Sequence, residues 1–72
     1  MKKKFQLEEL DCANCAAKME AAIRKLDGVY EANISCMAQK LTLEADDARF
    51  DEIVDAAQRA IAKVDPGCRI VR

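Results

Sequence analysis

Two cysteines three positions apart, Cys12 and Cys15, with Asp11 directly before the first, are the residues of this chain best suited to chemistry. Thiols at this spacing can exchange disulfides, or they can bind a thiophilic metal ion as thiolates. Two thiolates and one carboxylate bring three negative charges toward one ion, and a divalent ion neutralises more of that charge than a monovalent one. Thiolates select copper(I), zinc and similar soft ions, and an oxygen donor adds a preference for divalent ones. Three protein ligands leave a tetrahedral ion one open position, which suits an ion that is to be handed on. The remaining cysteines, Cys36 and Cys68, do not form a second pair at the same spacing, which argues against a four-cysteine structural zinc site. Histidine is absent, which excludes histidine-containing zinc sites and nucleophilic triads with a histidine base.

Composition bounds the partners. The chain has 72 residues, 51% hydrophobic and 35% charged, with a formal net charge of −1. That balance reads as one domain, 1–72, expected to be monomeric, with a thin core. It gives no electrostatic basis for nucleic acid, because Lys2-Lys3-Lys4 is the only basic run. An apolar run of about 18 residues is lacking, so no direct membrane insertion is expected. The lysines lead into an alternating segment and not an apolar stretch, so no signal peptide is expected either. The expected location is cytoplasmic, where cysteines serve metal or redox chemistry more often than disulfide frameworks. The end of the chain directly after the last expected strand suits an excised module.

The elements that must position the pair follow from periodicity. Residues 3–10 alternate around Phe5 and Leu7 as a strand. Asn14 is a candidate N-cap, placing Cys15 in the first turn of a helix that runs to about Leu26 on a stripe of Met19, Ile23 and Leu26. Gly28 ends it. Strands are expected at 29–36 and 40–45, joined by a turn at 37–39. A second helix, starting near 47–50, carries Phe50, Ile53, Val54, Ala57, Ile61 and Val64. Pro66-Gly67 breaks it before a last strand at 68–71. The order βαββαβ implies an α+β, ferredoxin-like two-layer sandwich, with a four-stranded antiparallel sheet and two helices on one face. In that topology the last strand lies beside the first, so the loop of Asp65 and Cys68 is nearest the pair. Both are therefore possible auxiliary ligands. A helix N-terminus carries partial positive charge, so it and Lys18 are expected to favour thiolate at the pair.

The stretch Leu10-Asp11-Cys12-Ala13-Asn14-Cys15-Ala16, followed by Gly28-Val29, Ala32 and Ile34, resembles the heavy-metal-associated domain family along essentially the whole chain. The resemblance implies a metal-binding module of the kind found as freestanding metallochaperones and at the N-termini of heavy-metal-transporting P-type ATPases. Copper members usually carry Gly-Met-Thr where this chain has Glu9-Leu10-Asp11, with Leu10 standing where methionine is usual. An aspartate there is similar to zinc, cadmium and lead pumps. The implied partners are the metal ion and the membrane transport portion of the same or a partner ATPase, and the module itself is expected to catalyse nothing. A freestanding copper(I) chaperone and a thiol–disulfide redox protein are the alternatives; the missing tryptophan and the acid before Cys12 disfavour the latter.

Overall fold

The computed structural model describes residues 1–10 and 12–71. Strand β1 (Lys2–Glu8) leads into helix α1 (Ala13–Arg24), then β2 (Val29–Ser35) and β3 (Lys40–Ala45). A 3-10 turn at Asp47–Arg49 feeds helix α2 (Phe50–Val64), and β4 (Arg69–Val71) closes the chain. The four strands form one antiparallel sheet in the order β2-β3-β1-β4, so β4 does lie beside β1. This is the expected βαββαβ sandwich.

Alternation fixes which sheet face the helices cover. Phe5 and Leu7 on β1, Ala32 and Ile34 on β2, Leu41, Leu43 and Ala45 on β3 and Ile70 on β4 are all buried. The register pairs Phe5 and Ile34 with Leu41, Ala32 with Leu43, and Leu7 with Ile70, which stacks these side chains into one apolar layer. Onto it α1 lays Ala16, Met19 and Ile23, while α2 lays Phe50, Ile53, Val54, Ala57 and Ile61. The rings of Phe5 and Phe50 stack with centroids 6.2 Å apart. Each large side chain in this layer removes about 1.5–3 kcal/mol worth of apolar surface from water.

Among the boundaries that differ from expectation, four have a plain local reason. β1 stops at Glu8 because Glu9 turns into the left-handed region, φ 59°. α1 stops at Arg24, where the Lys25 N–H bonds back to Ala22 O and Ile23 O in a tightened last turn. β2 ends at Ser35 because the turn begins at Cys36. β4 begins at Arg69, since the Cys68 N–H is occupied by Asp65 O at 3.1 Å.

Helix side chains cover both outer edges of the sheet. On β2, the Ile34 N–H donates to Glu20 Oε2 at 3.0 Å, and Arg24 Nε donates to Ala32 O at 2.9 Å. Glu20 and Arg24 are themselves ion-paired at 3.0 Å, one helical turn apart. On β4, the Ile70 N–H donates to Gln58 Oε1 at 2.7 Å.

Gly28, at the far end of α1 from the cysteines, sits at φ 89°. A Cβ there would lie 2.9 Å from Ile53 Cδ1. Gly28→Ala should therefore destabilise the chain by about 1–2 kcal/mol from the left-handed backbone alone. Thermal unfolding should show a melting point lower by about 4–16 °C. An unchanged melting point would mean that the turn rearranges freely.

Candidate metal site

Cys12 and Cys15 are brought together at the start of α1. Cys12, not Asn14, is the N-cap: its backbone is extended (φ −131°, ψ 115°) and its side chain accepts the Cys15 N–H at 3.3 Å. Its carbonyl accepts the Ala16 N–H at 3.0 Å, the first bond of the helix. Asn14 lies inside the first turn with its side chain exposed. The sulfur thus does what a Ser or Asp oxygen does at most N-caps, satisfying an N–H that has no partner within the helix. Both cysteines are half-buried, and no disulfide joins them or involves Cys36 or Cys68. Asp11 lies outside the described residues.

The Cys15 thiol is raised above its ordinary value, against the expectation of a favoured thiolate. Its side-chain hydrogen bond with Cys12 is the largest cause, followed by partial burial, then by the charges of Cys12 and Asp65. Lys18 pulls the other way and does not prevail. The helix N-terminal amide of Cys15 is directed at the Cys12 sulfur and not at its own. A raised thiol stays protonated at neutral pH. Its contribution to folding is present below the unfolded value and fades as pH climbs through the folded one.

Asp65 lies near enough to Cys15 for its charge to raise the thiol. Asp65 is the C-cap of α2, and its Oδ1 accepts the Gly67 N–H at 3.0 Å, so part of its carboxylate is engaged in shaping its own turn. Cys68 is fully buried in the core. Cys36 is half-buried and packs against the core. Among the described residues, no group of three Cys, Asp or Glu side chains comes together around a common point. Cys12 and Cys15 are the described thiols that the start of α1 brings together.

One residue near the site had no sequence signal. Gln39, in the β2–β3 turn, reaches across to the main chain of Leu10, whose side chain is 1% exposed. Its position 29 residues away in sequence hid this contact from any spacing rule. No helix among the described residues is long and apolar enough to cross a membrane.

Comparison with known proteins agrees with this geometry. The chain is similar to the cadmium, zinc and cobalt-transporting ATPase of Bacillus subtilis (strain 168), 27% identical over 66 residues, covering 92% of this chain and 9% of that protein. It is 34% identical over 56 residues to the zinc/cadmium/lead-transporting P-type ATPase of Escherichia coli (strain K12), covering 78% of this chain and 8% of that one. The chain thus spans less than a tenth of the relatives it matches. Among solved structures, the solution structure of a ZiaAN sub mutant aligns with a TM-score of 0.77 at 30% identity, covering 99% and 94% of the two chains. A CopZ metallochaperone shares the fold, with a TM-score of 0.73 at 23% identity and coverage of 99% and 100%. The model of the heavy-metal-associated domain matches residues 4–65. With that match spanning most of its length, the chain belongs to the heavy-metal-associated domain family.

Proposed function

We propose that this chain, as one monomeric module of residues 1–72, binds a soft divalent ion (zinc, cadmium or lead) through Cys12 and Cys15, with Asp11 as the oxygen donor. We place it on the cytosolic side of a heavy-metal-translocating P-type ATPase, delivering ions to the pump or regulating it. The observation that carries this reading is the half-buried Cys12–Cys15 pair at the head of α1, preceded in sequence by Asp11. Its similarity to ATPases whose names specify zinc and cadmium supports the choice of ion over copper(I).

The reading is tested by anaerobic competition titration of the reduced 72-residue chain with zinc, cadmium and copper(I). One ion per chain is expected, with the divalent ions bound tightly enough to compete with a chelator. The Cys15 proton must leave when the ion enters. Apparent affinity should therefore climb as pH rises from about 6 to 8, by about tenfold per pH unit for each proton released. A preference for copper(I) over both divalent ions would sink the assignment. A flat pH profile would mean that the raised Cys15 thiol is not displaced.

A further inference from the structure

Gln39 occupies a backbone position that its residue type does not favour. It lies in the left-handed region, φ 56°, at the end of a short turn between β2 and β3. Glycine or asparagine is the usual solution there, because other side chains meet a steric penalty. A glutamine kept at such a position directs attention to what its side chain does.

That side chain has every polar group engaged. Oε1 accepts the Leu10 N–H at 3.0 Å. Nε2 donates to Leu10 O and, at 2.9 Å, to Cys36 O, using both of its hydrogens. Leu10 thus meets the carboxamide with both its N–H and its C=O, as a strand residue meets its neighbour. The Gln39 carbonyl accepts the Leu7 N–H at 2.7 Å, tying the same turn to β1. Leu10 follows Glu9, the other non-glycine residue in the left-handed region among the described residues, and its side chain is buried in the core. It stands two positions before Cys12.

We propose that Gln39 is a positioning residue for the metal loop. Its carboxamide pins the main chain of Leu10, two positions before Cys12, and so fixes the point from which the loop departs. The β2–β3 turn thereby serves as the loop's rear wall, although it supplies no ligand. This inference rests on the metal-binding reading and adds the element that holds the loop for the ion. Pre-orienting a ligand loop slows the loss of a bound ion, because the loop cannot swing away without first breaking the clamp.

The test compares the reduced 72-residue chain with Gln39→Gly and Gln39→Glu. Glycine accepts the left-handed backbone without penalty, so Gln39→Gly removes the clamp while relaxing the turn. Gln39→Glu keeps an acceptor for the Leu10 N–H but sets a carboxylate against two carbonyl oxygens. In the ion-free chain, amide hydrogen exchange at Leu10 should quicken about tenfold in Gln39→Gly, as expected for the loss of roughly one net hydrogen bond. The amides of Leu41 and Leu43 should be unchanged, and the melting point should not fall. In the cadmium-loaded chain, release to an excess of chelator is followed by the thiolate-to-metal charge-transfer absorption. It should be about tenfold faster in both variants, by the same reasoning. Unchanged exchange at Leu10 overturns the clamp, whether or not the chain binds the ion. Faster exchange with unchanged cadmium release overturns the positioning role. Failure of the wild-type chain to take up cadmium overturns the metal reading and the positioning role together. That outcome is told apart because the ion-free exchange still reports the contact.

Discussion

Cys12→Ser should cost the chain its tight binding of zinc and cadmium while leaving the ion-free fold as stable as before, or more so. The two effects separate because Cys12 is the N-cap of α1 and, on the proposed reading, a metal ligand as well. As an N-cap its sulfur accepts the Cys15 N–H at 3.3 Å, and a serine hydroxyl performs that task at least as well. As a ligand it supplies a thiolate, and a serine hydroxyl is a poor substitute for soft ions. Changes to groups that merely support metal ligands typically weaken affinity by about 10- to 100-fold, so removing a ligand should exceed that. Competition titration reads the loss, and thermal unfolding of the ion-free chain reads the stability. Retained affinity would remove Cys12 from the ligand set. A large drop in melting point would mean that the fold depends on the thiol itself.

Asp11→Ala should shift selectivity from zinc, cadmium or lead toward copper(I). On the proposed reading the substitution removes an oxygen donor and a negative charge but leaves both thiolates. Divalent ions that seek three or four ligands lose a direct contact, whereas copper(I) is satisfied by two thiolates in near-linear geometry. By analogy with charge-assisted hydrogen bonds, one charged ligand is worth on the order of 1–3 kcal/mol, a weakening of roughly 10- to 100-fold. The same titration, run on wild type and variant with zinc, cadmium and copper(I), reads the ratio. Equal losses for all three ions, or no loss for the divalent ones, would reduce Asp11 to an ordinary loop acid.

Periodicity made the scaffold legible. The α2 stripe is buried at Phe50, Ile53, Val54, Ala57 and Ile61, and the β3 strand spans the residues that its alternation marks. Both signals are local, since each depends on side chains a few positions apart sharing a face. The meeting of Cys12 and Cys15 was legible for the same reason. Features that depend on where distant segments meet were not. Spacing favoured Asn14 as the helix cap because asparagine is the better cap by type. The chain instead enters the helix two residues earlier, at Cys12, where the backbone is still extended. The raised Cys15 thiol reflects Asp65 at the end of the other helix as well as Cys12, and the Gln39 contact joins segments that no sequence window contains.

The covered sheet edges bear on how such a module behaves among its own kind. Domains joined by short flexible linkers meet at effective concentrations of about millimolar, where an exposed strand edge invites pairing with its neighbour. Here a visiting strand would have to evict Glu20 and Arg24 from β2, or Gln58 from β4, before it could take their hydrogen bonds. The guard on β2 is partly ionic, and Arg24 is half open to solvent. Salt that screens the Glu20–Arg24 pair therefore loosens the bolt on that side, while the neutral amide on β4 is indifferent to it. Ionic strength is therefore a variable that would make one flank of this sheet sociable and leave the other aloof.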